Sequence, residues 1–380
     1  MTRSVEVAGI GIHPFGRFED RSVTELGVTA VREALHDAGD PHFQAAFCGT
    51  AYAGVAAGHK VLGAIGRTGV PIVDVEAGCA SGGAALMLAA GAIRAGQYDC
   101  ALVFGIEKMP RGIIRSSFFE PWREEAGLAA TPAYFALRAQ RLMRDSGITK
   151  DDLADVVVKN RAHGVDNPNA MFRSEVTAEQ VLASRVVCEP LHLWMLCSPN
   201  EGAAAVVLRA PPEQSAGPRI TLEAAALRSH LPGSVLSEGT PLSGLADDSV
   251  DPPSTLAARA AYDEAGLGPA DLDVVECQDT DAARELLSYE ELGLCPEGDA
   301  GKWLADGVTR LGGRLPVNPS GGLLSKGEPL GASALAQVVE LVTQLRGRAG
   351  SRQVDGARLA LGHTVGRGAN ASVVILRRSP

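Results

Sequence analysis

Cys79 is the residue in this sequence best placed to act as a nucleophile. It lies in the run Gly78-Cys79-Ala80-Ser81-Gly82, between a strand-like segment and an alanine- and glycine-rich helical pattern. At a helix start, unpaired N–H groups and the helix dipole lower the pKa of a thiol and can hold an oxyanion formed by attack on a thioester. A buried cysteine that fills a small hole beneath the helix is the alternative interpretation. The neighbouring glycines favour the nucleophile, because they let a substrate approach the backbone.

His363 is the candidate base for this thiol. It follows the strand-like run 359–362 and lies in a glycine-rich segment that extends to residue 369. A histidine between glycines at a strand end is expected to face a central cleft, where it can exchange protons near neutral pH. A loop histidine that is hydrogen-bonded to backbone is the alternative.

The segments around Cys79 alternate between the two hydrophobic periodicities of strands and helices. We predict strands at 5–11, 70–75 and 100–105 and helices at 23–38 and 79–95. Gly39 and Gly96 are placed to end the two helices in the left-handed conformation. The first part of the chain is therefore predicted to be an α/β unit in which Cys79 lies at a strand-to-helix junction.

The same order of elements recurs in the second part of the chain. A strand at 272–276, a helix that opens at Ser320 and runs through Gln344, and a strand at 359–362 repeat the pattern around Cys79. Repeated units in matching order imply a duplicated α/β fold whose halves face each other across a pseudo-twofold axis. We therefore expect the thiol of the first repeat to meet the imidazole of the second.

The turn-rich connector 211–218, which follows a strand at 203–209, is the predicted boundary between the halves. It gives an N-terminal half at 1–212 and a C-terminal half at 213–380. The segment 108–169 has no counterpart in the second half and is interpreted as an inserted cap with helices at 134–146 and 150–160. Inserted segments on a rigid core commonly shape the substrate pocket.

Composition excludes several classes of protein. The 380 residues are 46% hydrophobic and include 44 glycines, which fits an α/β protein with a large core. The net charge of −10 argues against nucleic acid as a partner, and no stretch reaches the roughly 18 apolar residues that span a bilayer. The seven cysteines show no CxxC or Cys/His spacing, so no disulfide framework, metal site or bound cofactor is expected. Without a signal segment, a cytoplasmic location is the expectation.

Over nearly its whole length the sequence resembles the thiolase superfamily, most closely the sterol-carrier-protein-type and archaeal-type thiolase-like proteins. The matching motifs are 78–82, 157–161 with 167–168, 197–205, 288–293 and 317–322. The resemblance implies a duplicated thiolase fold with a layered α-β-α-β-α architecture and an inserted cap. It also implies a CoA thioester as substrate and a homodimer formed by the N-terminal halves, and it leaves open a larger complex with an OB-fold protein.

The resemblance also implies roles for individual residues. In the family, the nucleophilic cysteine lies at the position of Cys79, and a histidine of the final glycine-rich motif lies at the position of His363. The motifs further suggest the following candidate substrate-binding residues: Gly322, Gly366, Gly368, Ser320 and Tyr289. A helix-cap or packing role is the alternative for Ser320.

Two departures from the family pattern bear on mechanism. The run Gly327-Glu328-Pro329 resembles the family's Gly-His-Pro motif but carries a glutamate in place of the catalytic histidine. Gln278 stands at the polar first position of the family's His-Asp-Cys-Phe or Asn-Glu-Ala-Phe motif. An ionised carboxylate repels an enolate, so Glu328 is expected to be protonated or to act as a base. Gln278 keeps an N–H donor that can orient a substrate oxygen or hold Glu328. A surface position is the alternative for Glu328.

Three functions remain open at this point. The leading hypothesis is an acyltransferase or condensing enzyme in which Cys79 takes an acyl group from a CoA or carrier-protein thioester, His363 assists, and Glu328 deprotonates or positions a carbon or other acceptor. The second is a retro-aldol lyase that acts beside an OB-fold partner, with Glu328, His363 or Tyr289 as acid and base. The third is a non-catalytic subunit of a complex.

Overall fold

The computed structural model describes residues 3–112, 122, 125, 131–212, 218–232, 250–366 and 370–379. Within them, the strands are β1 (Glu6–Gly16), β2 (Ala45–Gly49), β3 (Ile72–Val75), β4 (Cys100–Lys108), β5 (Val186–Cys188), β6 (Leu191–His192), β7 (Glu201–Arg209), β8 (Ile220–Ser229), β9 (Val274–Glu276), β10 (Leu359–Val365) and β11 (Asn370–Arg378). The helices of the N-terminal half and inserted segment are α1 (Val23–Asp37), α2 (Ala57–Ala64), α3 (Ser81–Arg94), α4 (Thr131–Ser146), α5 (Lys150–Gly164) and α6 (Ala178–Ala183). The later helices are α7 (Pro253–Ala265), α8 (Ala282–Glu291), α9 (Ala300–Ala305), α10 (Gly322–Lys326) and α11 (Leu330–Leu345).

The two halves contain the same arrangement of strands. A nine-stranded mixed sheet has the order β3-β2-β4-β7-β1-β8-β11-β10-β9. Read outward from its middle, the order β1-β7-β4-β2 is repeated by β8-β11-β10-β9, and each series ends with a parallel pair, β4 with β2 and β10 with β9. The two series meet where β1 pairs with β8 at Glu6 and Thr221. The prediction of a duplicated α/β fold is therefore confirmed.

The five layers of the fold pack around three large hydrophobic cores. The helices α1 and α2 cover the outer face of the N-terminal strands, and α7 and α8 cover the outer face of the C-terminal strands. Between the two sets of strands, α3 and α11 pack against each other within a third core. This is the predicted α-β-α-β-α layering, and it places the start of α3, where Cys79 lies, in the middle of the molecule.

Most predicted elements are present, with shifted ends. The first helix ends at Asp37 and Gly39 has a φ of 79°, as expected for a left-handed helix end. The strand predicted at 5–11 continues to Gly16, and the one at 359–362 continues to Val365. In the inserted segment, α4 and α5 match the two predicted helices and pack on the C-terminal core.

The helix predicted from Ser320 through Gln344 is wrong as a single element. It is broken into α10 and α11 by the residues Gly327, Glu328 and Pro329. Gly327 has a φ of 84°, which L side chains rarely adopt, and Pro329 has no N–H to donate to a preceding turn. The break therefore removes Glu328 from a helical surface and puts it in a turn between two helices.

Small residues allow the start of α11 to approach the N-terminal strands. A Cβ at Gly331 would lie 2.5 Å from the carbonyl oxygen of Gly49 and 2.7 Å from that of Ile106. Only glycine fits at this contact, so the turn that carries Glu328 is held close to β2 and β4. Within the described residues, the helices are too short or too polar to cross a membrane. The predicted connector lies partly outside the described residues, at 213–217.

Candidate active site

Cys79 and Glu328 line one cavity of about 350 Å³. The cavity lies where the inserted segment covers the junction of the two halves. Its lining residues are Tyr52, Cys79, Gly112, Thr131, Pro132, Phe135, Arg185, Val187, Leu193, Leu196, Cys197, Pro199, Thr280, Glu328, Leu330 and Val365. The structure thus brings together the candidate nucleophile and the residue that departs most from the family pattern.

The turn between β3 and α3 holds Cys79 at the cavity. Gly78 has a φ of 60°, and residues Gly78–Ala80 form one turn of 3₁₀ helix before α3 begins. The hydroxyl of Ser81 donates to the Gly78 carbonyl at 2.6 Å and accepts the Ala77 N–H at 2.9 Å, which closes the turn. Cys79 is 5% exposed and contacts the cavity. It therefore lies at the helix start that its sequence predicts, where the positive end of the helix dipole favours a thiolate.

Two side chains donate hydrogen bonds to the carboxylate of Glu328. The amide Nε2 of Gln278 donates to Glu328 Oε1 at 2.8 Å, and the Sγ of Cys197 donates to Oε2 at 3.2 Å. Glu328 is only 5% exposed, so its position is a cleft and not the outer surface. A carboxylate whose oxygens both accept hydrogen bonds is equipped to be an ionised base. Of the two roles predicted for Gln278, the structure shows that of holding Glu328.

Sequence reasoning missed Cys197 as a site residue. It lies between β6 and β7, and burial of its thiol, followed by the charge of Glu328, raises its pKa well above the ordinary value. The thiol therefore stays protonated and acts as a donor. Its position could have indicated a site residue, because Cys197 is the first residue of the motif 197–205 that resembles the thiolase superfamily.

The prediction that the His363 imidazole faces the cleft is wrong. The side chain is fully buried, and its Nε2 lies 3.1 Å from the hydroxyl of Ser254 on α7. Burial, followed by the charge of Arg284, lowers the pKa of His363 well below its ordinary value. His363 is also not among the described residues that line the cavity of Cys79. The imidazole is therefore a neutral core group on the outer face of β10.

We expect this buried imidazole to affect stability at acidic pH rather than catalysis. The unfolded chain takes up a proton at His363 near pH 6.5, whereas the folded chain does not. Its contribution to the free energy of unfolding is therefore lost as the pH falls below 6.5, by up to about 1.4 kcal/mol per pH unit. The free energy of unfolding, measured by urea denaturation between pH 6.5 and 4.5, should fall less steeply with decreasing pH in His363→Gln than in wild type.

The exposed His36 on α1 supplies the control, since His36→Gln should leave the slope with pH as it is in wild type. A His363→Gln variant with the wild-type slope would show that the imidazole is protonated in the folded chain.

The described members of the predicted substrate-binding set are not among the residues that line the cavity, although Gly366 lies beside the turn that carries Cys79. Tyr289 is buried and donates to Glu285 Oε1 at 2.5 Å, and the Ser320 hydroxyl donates to Glu276 Oε2 at 2.7 Å. Gly322 has a φ of 61° and lies against the side chain of Asp279. Gly366 lies against the Ala77 carbonyl, beside the turn that carries Cys79. Gly368 lies outside the described residues.

Tyr289 instead belongs to a buried polar network that joins α5 to the C-terminal half. Ser320 and Lys326 both contact Glu276 in a separate buried group. Lys159 Nζ lies 2.9 Å from Glu285 Oε1, and Asn160 donates to Glu285 and to Asp279. Asp279, which follows Gln278 directly, accepts the N–H groups of Leu323 and Leu324 in α10. The network therefore fixes the helix that precedes Glu328 and the segment that carries Gln278.

Much of the cavity lining is apolar. Phe135 comes from α4 of the inserted segment and Val187 from β5, and Leu193 and Leu196 lie in the residues that follow β6. Arg185 is exposed and is the basic residue among the described lining residues. An apolar acyl group fits such a lining, because its transfer out of water is favourable.

Comparison with known protein families agrees with this architecture. The family model described as thiolase, N-terminal domain, matches residues 5–210. The model described as thiolase C-terminal domain-like matches residues 245–378. Together they cover both repeats and the inserted segment.

Three named relatives match this sequence along nearly its whole length. An acetyl-CoA acetyltransferase of Methanothermobacter thermautotrophicus is 36% identical over 99% of this chain and 100% of its own length. The benzoylsuccinyl-CoA thiolase subunit BbsB of Thauera aromatica is 37% identical over 98% of this chain and 97% of its own. Human sterol carrier protein 2 is 35% identical over 99% of this chain and 72% of its own.

Two solved structures share the fold. The structure named Ltp2-ChsH2(DUF35) aldolase contains a chain that superposes with a TM-score of 0.84 at 25% identity, over 98% of this chain and 97% of that one. Human mitochondrial 3-ketoacyl-CoA thiolase superposes with a TM-score of 0.73 at 17% identity, over 99% of both chains. The second likeness concerns the fold alone.

Proposed function

This chain belongs to the thiolase family, and from that premise we propose that it transfers an acyl group from a CoA thioester to a carbon nucleophile through an acyl-enzyme on Cys79. The observation that carries the proposal is the shared cavity of Cys79 and Glu328. A thiol at a helix start and a clamped carboxylate supply the nucleophile and base that such a transfer needs.

In the first half of the reaction, Glu328 takes the proton of the Cys79 thiol. The thiolate attacks the carbonyl carbon of the acyl-CoA, and the C–S bond to CoA breaks. The departing CoA thiolate takes the proton back from Glu328. The products are free CoA and an acyl group in thioester linkage to Cys79, and the carboxylate is ionised again.

In the second half, Glu328 removes a proton from a carbon that is activated by a neighbouring carbonyl group. The resulting carbanion attacks the acyl group, and the Cys79 thiolate leaves and recovers a proton from Glu328. After it takes up a proton, the carboxyl group is neutral and can donate a hydrogen bond, so it no longer repels the enolate. A glutamate can thus serve at a position where the family has a histidine.

The release of CoA in the absence of an acceptor tests this proposal. Mixed with hexanoyl-CoA alone, the wild-type chain should release a burst of about one CoA per chain, because the acyl group remains on the enzyme. A rapid-quench assay with a thiol reagent measures the burst, and Cys79→Ala should show none. A burst of unchanged size in Cys79→Ala would reject the acyl-enzyme.

Retro-aldol cleavage of an acyl-CoA, assisted by a partner protein, is the second candidate function. It is favoured by the likeness to the chain from the Ltp2-ChsH2(DUF35) aldolase. Glu328 takes the proton of a β-hydroxyl group, the bond between the α and β carbons breaks, and an aldehyde or ketone leaves. The electron pair of that bond stays on the α carbon as the enolate of the shortened acyl-CoA, which recovers the proton from Glu328. This reaction needs no thiol nucleophile. Release of a carbonyl product and a shortened acyl-CoA at the same rate in wild type and Cys79→Ala would decide for it.

A further inference from the structure

We propose that Cys197 is a positioning residue, whose thiol holds Glu328 as the proton acceptor for Cys79. The inference deepens the proposed function and rests on it. Cys197 lines the same cavity as Cys79, yet neither half of the proposed acyl transfer uses it. Its role follows from the contact between its thiol and Glu328.

The backbone fixes Cys197 and Glu328 relative to each other. The N–H of Glu328 donates to the Ser198 carbonyl at 2.9 Å, and Pro199 and Glu328 form an isolated parallel bridge. The N–H of Cys197 donates to the Thr280 carbonyl at 2.8 Å, next to the segment that carries Gln278. Three separate segments of the chain are therefore tied together by main-chain hydrogen bonds around one carboxylate.

The side chains complete this arrangement. Gln278 donates to one oxygen of Glu328 and Cys197 donates to the other, so the plane of the carboxylate is fixed from two sides. Hydrogen bonds to a charged group contribute more than those between neutral groups. The thiol thus limits the rotation of the carboxylate and favours its ionised form.

The two cysteines of the cavity have different surroundings. Cys79 lies at the start of α3, which favours a thiolate. Cys197 lies against the carboxylate, and burial together with that negative charge keeps its proton in place. Cys197 is therefore a donor to the base, whereas Cys79 is the group that the base deprotonates.

Removing the thiol should make Glu328 easier to protonate. The titratable groups among the described residues that line the cavity beside Glu328 are Tyr52, Cys79, Arg185 and Cys197, and Asp279 follows Gln278 directly in the chain. Gln278 and Cys197 donate to the carboxylate as neutral groups and stabilise its ionised form. A carboxylate that loses one of its donors takes up a proton at higher pH.

The pH dependence of Cys79 acylation tests the role of Cys197. In the full-length protein with hexanoyl-CoA, the acylation rate should fall at low pH as Glu328 takes up a proton; this fall is the acidic limb of the pH profile. Cys197→Ala should shift the acidic limb to a higher pH by about one unit, as expected for the loss of one hydrogen bond to a charged group. Cys197→Ser keeps a donor of similar size and should retain the wild-type limb. Cys188→Ala, which removes a half-buried thiol on β5 outside the cavity lining, is the matched control.

Each outcome decides the inference. An acidic limb in Cys197→Ala that coincides with wild type, or an equal shift in Cys197→Ala and Cys197→Ser, would overturn the positioning role, since packing alone would then explain the site. Acylation of Cys197 itself in wild type would also overturn it. If wild type forms no adduct on Cys79, the proposed function fails first and the inference with it, so the two failures are distinguishable.

Discussion

Glu328→Gln is expected to slow the acylation of Cys79 by about 10²- to 10⁴-fold, the usual contribution of a positioned general base. Glutamine has nearly the same size and can still accept the hydrogen bond from Gln278, but it cannot take up a proton. Single-turnover mixing with hexanoyl-CoA, followed by mass spectrometry of the quenched protein, measures the rate. The expected loss lies in the acylation step, because Glu328 acts on the Cys79 thiol.

Two further variants sharpen this test. Glu328→His restores the base that the family has in its Gly-His-Pro motif and should retain much more of the acylation rate than Glu328→Gln. Glu297→Gln changes an exposed glutamate away from the cavity and should leave the rate unchanged. Acylation by Glu328→Gln at the wild-type rate would contradict the assignment of Glu328 as the base.

Lys159→Met is expected to lower the free energy of unfolding by about 3–5 kcal/mol, as found when one partner of a buried ion pair is removed. Lys159 and Glu285 are both fully buried and their charged atoms lie 2.9 Å apart. Without the ammonium group, the buried carboxyl group of Glu285 loses its oppositely charged partner. Urea denaturation followed by far-UV circular dichroism measures the change.

An exposed ion pair provides the comparison for Lys159. Arg67 lies 2.6 Å from Asp40 at the surface, so Arg67→Ala should cost no more than about 1 kcal/mol. Equal losses in the two variants would show that the buried network does not stabilise the chain through its charges. A loss confined to Lys159→Met would support its role in fixing α10 and the turn that carries Glu328.

The position of Cys79 could be predicted from sequence because it depends on local signals. A short strand, a glycine with positive φ and an alanine-rich helix lie within about twenty residues of one another. The duplicated fold was likewise predictable, since the order of elements recurs along the chain. Both features can be recognised in the sequence from hydrophobic periodicity and from the glycines that end helices.

The misplacement of His363 has a simple physical cause. The strand β10 continues to Val365 instead of ending at Gly362, so His363 is an interior strand residue. Side chains alternate between the faces of a strand, and His363 shares its face with Leu359 and Leu361, which belong to the outer core with α7. The flanking glycine suggested a loop, and only the pairing of β10 with β11 shows that the strand continues.

The roles of Cys197 and Gln278 depend on contacts between distant parts of the chain. Cys197 and Glu328 are 131 positions apart, and they meet only because the segment before β7 pairs with the turn after α10. No periodicity encodes such a contact. The sequence identified Gln278 and Glu328 as unusual residues, and the structure shows that one holds the other.

The residue that carries the acyl group provides the most direct test of this account. Wild-type protein exposed to hexanoyl-CoA without an acceptor, then digested and analysed by peptide mass spectrometry, should carry one hexanoyl group on the peptide that contains Cys79 and none on the peptide that contains Cys197. Turnover of acyl-CoA with no acyl group on Cys79, or with the group on any other residue, would contradict it.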